Sequence, residues 1–229
     1  MKKNLFIVAL LIFAVVGSAQ AQKLDKFSSS VTKKVGPKTV NIPYTDVISY
    51  LGYAAPNTED EIKDGKKFYY VYIWIPLAAP ELGVRMLSPV ADNAPKEASK
   101  SADFEANAKS TEFFDTYITL ERSDIIKVED ITPAKVKAAK WTTLERNDDS
   151  SEMPKQPSGS SYNSLLRYTS DVNDPTKALT AGLYRVGFTT YKTGEVKGTF
   201  LAEVGAPVKL PGVAVGKTPD TVRGLLAAK

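Results

Sequence analysis

Neither cysteine nor histidine occurs anywhere in the 229 residues. The first absence excludes disulfides, thiolate zinc sites and a cysteine nucleophile. The second removes the usual base of a serine triad and the side chain best matched to proton transfer near neutral pH. Carboxylates and lysines are left for acid–base chemistry, and oxygen atoms for holding a metal. A strong charge of either sign is missing too. The formal net charge is +4, and setting aside Lys2 and Lys3 leaves about +2 (4 − 2), too weak a bias to point to nucleic acid. No glycine-rich phosphate loop and no internal repeat is present.

Long hydrophobic runs are also few. Leu5–Val16 is too short to span a bilayer comfortably. It follows Lys2 and Lys3 and precedes Ala19-Gln20-Ala21, so Met1–Ala21 reads as a secretory signal peptide with Gln22 opening the mature chain. Residues 22–229 then read as a single domain with enough chain for one sizeable core, and 22–37, rich in Lys and Ser, as a mobile leader.

The stretch FYYVYIWIPLAAPELGVRMLSP, residues 68–89, dominates what is there. In an extended chain Phe68, Tyr70, Tyr72 and Trp74 point to one side and Tyr69, Val71, Ile73 and Ile75 to the other. A strand apolar on both sides has to be covered on both faces. Further strands are expected over 38–42, 44–53, 82–86, 113–122, 165–169 and 182–204, the last as a hairpin turning at Lys192-Thr193-Gly194-Glu195. Thr132-Pro133 and Thr218-Pro219 are N-cap and first-turn signals for two short helices, the second packing through Val222, Leu225 and Leu226. Strands without alternating long helices predict an all-β, antiparallel β-sandwich with a few short peripheral helices.

Asp148 and Asp149 are adjacent in the polar run ERNDDSSEMPKQPSGSS, residues 145–161, and Asp115-Thr116 stands at a strand start. Loop and strand acids of this kind can supply carboxylates to a hard cation, although acidic pairs in loops are more often simply solvated. Asp115, Glu121 and Asp149 could also form a hydrolytic carboxylate set, but no feature fixes their separation. Lys192, Lys197 and Arg185 could make a basic patch, with solubilising charge the plainer explanation. Tyr50, Tyr53, Tyr162, Tyr168 and Tyr191 exceed the needs of one core, and tyrosine is a frequent interface anchor.

Four blocks resemble the spirochaetal surface lipoprotein family: YVYIWIPLAAPELGVRMLSP, Phe114-Asp115-Thr116-Tyr117-Ile118, Tyr162-Asn163-Ser164-Leu165 and GLYRVGFTTYKTGEVKGTF at 182–200. They keep their order and spacing from about residue 41 to 213. The resemblance implies a jelly-roll-like sandwich with helices at its edge. It implies a structural calcium (Ca2+) site at Asp115, Thr116, Asp148, Asp149 and Tyr162, with Thr116 and Tyr162 giving backbone oxygens. The family's acidic loop is a longer run than the two Asp here, so weaker affinity is expected. Members are anchored by a lipid on a cysteine after the leader. This chain has no cysteine, so export carries over and that anchor does not.

The function expected is therefore that of an exported, non-catalytic, calcium-binding protein of the envelope or exterior, adhesin-like, with extracellular matrix or plasma proteins as the implied partners. A carbohydrate-binding module is the alternative, on fold-level analogy alone. A polysaccharide- or peptide-directed hydrolase ranks third. Nucleic acid is not expected as a partner, nor a transmembrane segment in the mature chain.

Overall fold

The computed structural model describes residues 23–191 and 195–228. The signal peptide expected at 1–21 and the tip of the turn expected at 192–194 lie outside the described residues. The strands are β1 (Ser28–Val35), β2 (Lys38–Pro43), β3 (Asp46–Ala54), β4 (Glu61–Lys63), β5 (Lys66–Ile75), β6 (Glu81–Leu87), β7 (Ser99–Lys100), β8 (Tyr117–Ser123), β9 (Trp141–Asn147), β10 (Ser164–Thr169), β11 (Gly182–Thr189), β12 (Gly198–Ala206) and β13 (Ala214–Gly216). Three short α-helices accompany them among the described residues: α1 (Ala102–Asn107), α2 (Pro133–Ala138) and α3 (Pro219–Ala227). None of the described helices is long and apolar enough to cross a membrane.

Two sheets pack face to face. One runs β10-β6-β12-β3-β7 and the other β13-β5-β11-β8-β9, with β4 added on β5 and β1-β2 forming a separate ribbon. The pairings are antiparallel apart from the short β3–β7 contact. From β8 onward the chain moves repeatedly between the sheets, as a jelly-roll-like sandwich requires.

The two faces of β5 explain the layering. Tyr69, Val71, Ile73 and Ile75 enter the core between the sheets, against Leu82, Val84 and Met86 of β6 and Phe200, Ala202 and Val204 of β12. Phe68, Tyr70, Tyr72 and Trp74 face outward, where Val136 of α2 and Val222 of α3 cover them. Each large side chain so buried contributes roughly 1.5–3 kcal/mol. Both helices begin as their sequences dictate: Thr132 accepts from the Lys135 N–H and Thr218 from the Thr221 N–H, with Pro at the first helical position. The outer face of the other sheet, with Leu51, Leu87, Leu165 and Leu201, is covered by Phe27, Tyr44, Phe104 of α1 and Met153.

Several expectations need correction. β11 and β12 are not a hairpin: β11 pairs with β5 and β8, β12 with β3 and β6. Their core faces were read correctly, since Tyr184, Val186, Phe188, Phe200, Ala202 and Val204 all enter the core. A glycine turn between two core-facing strands serves equally to cross from one sheet to the other. Residues 141–147, with no apolar alternation, form β9 at the sheet edge, and its burial is only partial. Residues 28–35, read as a mobile leader, form β1 against β2, with Phe27 and Ser29 buried. Leu225 is exposed on α3 while Val222 is buried and Leu226 packs beside it. Tyr50 and Tyr168 are buried, whereas Tyr162 and Tyr191 are exposed. Arg185 belongs to no surface patch: it is buried on β11 and Lys197 is paired with Glu112.

Candidate metal centre

The polar run after β9 folds back on the start of β8 and is pinned at several points. The Thr116 N–H donates to the Tyr162 carbonyl at 2.9 Å, and Thr116 Oγ1 to the same oxygen at 3.2 Å. Ser164 Oγ lies against the carbonyl oxygens of Thr116 and, at 2.8 Å, Asp148. The Ser150 N–H donates to the Asn163 carbonyl at 3.0 Å. Buried Gln156 donates through Nε2 to the carbonyls of Phe114 (2.6 Å) and Ser88 (3.0 Å). Outside, Arg167 grips both oxygens of Glu152 at 2.8 Å, a bidentate geometry that fixes direction as well as distance.

These ties bring the five expected residues into one neighbourhood. Asp115, Asp148 and Asp149 lie within electrostatic reach of one another. Burial first, and then the charges of Asp149 and Asp148, push the Asp115 carboxyl up to about 6, against a partial counter-pull from Lys66. Asp149 is raised as well, by burial and then by Asp148. Asp115 Oδ1 is buried with no hydrogen-bond partner, and so is Asn147 Oδ1 at the end of β9. A buried acceptor without a donor costs about 1–3 kcal/mol. A cation beside Asp115 would relieve its orphaned oxygen and the mutual repulsion of the three carboxylates.

The donor set is all oxygen, which suits a hard cation such as calcium. Carboxylates alone do not make the site: among the described residues no group of three acidic side chains gathers tightly enough to hold an ion. An ion here would draw on amide and carbonyl oxygens too. Thr116 is fully buried and can act only through its backbone or its inward hydroxyl. The Tyr162 carbonyl already accepts from Thr116 and, at 3.4 Å, from Gln156, so its donors would have to share it. Glu121 stands apart. It is buried in an ion pair with Arg185 (Nε–Oε2 2.6 Å) and joins no hydrolytic set with Asp115 and Asp149.

Asn147, Gln156 and Ser164 were missed as parts of this site. Asn147 adjoins the acidic pair, and that adjacency was the one signal for it. Gln156 and Ser164 are single polar residues with no periodic pattern to expose them.

Fold and site together define an all-β sandwich that ties an acidic loop to a strand end. The chain belongs to the Lipl32 family, described as the surface lipoprotein of the Spirochaetales order, whose family model matches residues 38–215. The matched span runs from β2 to β13 and holds all five expected ligands. No curated protein matches the chain.

Proposed function

We propose that this chain is an exported, non-catalytic surface protein that holds a structural calcium ion on Asp115, Thr116, Asp148, Asp149 and Tyr162. Its role is binding at or outside the cell envelope, with extracellular matrix or other extracellular proteins as partners. One observation carries the metal: the buried, partnerless Oδ1 of Asp115, on a carboxyl that Asp148 and Asp149 crowd. Membership of a surface lipoprotein family supports the location and the binding role.

Calcium, when bound, would supply the positive charge that the three carboxylates lack. Asp115 would then stay ionised, and the loop would be held to the start of β8 by the ion as well as by Ser164 and Gln156. Its ligands come from separate parts of the chain, so binding favours the folded state by mass action. Calorimetric titration of the metal-free chain with calcium chloride tests this. Saturable heat that Asp148→Ala with Asp149→Ala removes is the expected result, and no heat at millimolar calcium rejects the site.

A further inference from the structure

The outer face of the β5-containing sheet carries a cleft of about 620 Å³, within the range of small-molecule sites. It shares no lining residue with the acidic loop. Its floor is aromatic. Tyr72 and Trp141 lie 6.2 Å apart between ring centroids, and the Arg185 guanidinium is clamped between Tyr70 (3.7 Å to the centroid) and Trp141 (4.2 Å). The Trp141 indole is oriented by its N–H, which donates to the Val136 carbonyl at 3.3 Å. One wall is β4 and the residue before it, with Asp60 and Glu61, and the other is built by α2 and the start of α3.

Arg185, Glu61 and Asp60 are engaged in ion pairs in this cleft, and Lys137 of α2 adds an exposed ammonium to its lining. Arg185 is paired with buried Glu121 and, at 3.5 Å, with Glu61. Glu61 also accepts from the Tyr70 hydroxyl at 2.6 Å. Asp60 is paired with Lys217 and accepts from the Tyr70 N–H at 2.7 Å. Beyond Lys137, an ion entering the cleft would meet only charges that already have partners. A neutral ligand would meet carboxylate lone pairs still open at the rim and a rigid, half-buried indole. The Glu61 side chain is 44% exposed, with Oε2 turned toward Tyr70 and Arg185. Carboxylates that accept from hydroxyls, set beside an indole that stacks on an apolar ring face, are the recognition chemistry of a sugar.

We propose that this cleft binds a neutral oligosaccharide, with the partly exposed Trp141 as the stacking surface and Asp60 and Glu61 as hydroxyl acceptors. The site is independent of the calcium centre.

The test uses the purified chain in chelator and again in calcium, with maltohexaose, cellohexaose and chitohexaose as probes. Binding is read by tryptophan fluorescence and calorimetry. The other tryptophan, Trp74, is buried, so a saturable change in emission reports on Trp141. The expected result is binding of at least one probe, in chelator as in calcium, weakened tenfold or more by Trp141→Ala. Glu61→Gln, which keeps an acceptor for the Tyr70 hydroxyl, is expected to weaken it at least threefold while the chain stays folded by its melting transition. Binding that ignores both substitutions, or no binding by any of the three probes, overturns the proposal. So does binding only of charged probes run alongside, an oligolysine peptide and a heparin oligosaccharide. Loss of calcium binding with sugar binding intact would count against the metal reading alone.

Discussion

Arg85 Nε stands 2.5 Å from Glu203 Oε2 across the β6–β12 pairing, and both side chains are nine-tenths buried or close to it. Ser49 Oγ donates to the other oxygen of Glu203 at 2.6 Å. Arg85 also donates to the Asp25 carbonyl at 2.8 Å and lies 4.5 Å from the centre of the Phe27 ring. The pair thus joins two strands and holds the N-terminal segment. Removing one partner leaves the other buried and charged. Glu203→Ala is expected to cost about 3–5 kcal/mol in urea unfolding, and the double replacement Arg85→Met with Glu203→Leu much less. A single-mutant cost under 1 kcal/mol would show that the arginine finds another partner.

Tyr44 gives a second prediction. Gly83 and Gly205 are register partners on β6 and β12, and the Tyr44 ring lies across both. A Cβ on Gly83 would meet that ring at 2.4 Å, and one on Gly205 at 2.8 Å. The Tyr44 hydroxyl donates to Glu81 at 2.6 Å, so the ring cannot simply swing away. Gly83→Ala is expected to destabilise the fold by about 1–3 kcal/mol. The paired variant Gly83→Ala with Tyr44→Ala should cost less than the sum of its parts, as a double-mutant cycle would show.

Much of this architecture was legible beforehand, because burial on both faces writes itself into strand composition. The alternation of Tyr69, Val71, Ile73 and Ile75 with Phe68, Tyr70, Tyr72 and Trp74 announced two covered faces, and both are covered. β9 was not legible. An edge strand exposed along much of its length needs no alternation, and Trp141–Asn147 shows none. The crossing from β11 to β12 was mistaken for a hairpin because periodicity reports which face is buried and not which strand lies beside it. At the candidate site the acidic residues were found through family blocks and adjacency. The groups that seat the loop, Gln156 and Ser164, act through hydrogen bonds across 42 and 48 residues of sequence, and local pattern carries no trace of such contacts.

Asp115 contributes a falling limb to the pH behaviour of the metal-free chain, opposed by Glu152, which Arg167 holds below the ordinary carboxylate range. Its folded carboxyl is pushed up to about 6 from the ordinary carboxylate range, so folding takes up a proton between about 4 and 6. Its contribution to stability in chelator is therefore expected to fall as pH rises across that window and then to level off. Asp115→Asn, which carries no charge to repel Asp148 and Asp149, should flatten the dependence. Melting temperatures from pH 4 to 7 in chelator, with both chains side by side, check the sign. A stability that climbs through the same window in the unmodified chain alone would contradict it.

The most direct test of the metal centre is the melting temperature of the chain with calcium and with chelator, beside Asp148→Ala with Asp149→Ala. At calcium about a hundredfold above the dissociation constant, binding stabilises the fold by about 2.7 kcal/mol, or about 5–10 °C for a domain of this size. The account predicts that rise in the unmodified chain and none in the double variant. Equal midpoints with calcium and with chelator in the unmodified chain would contradict it.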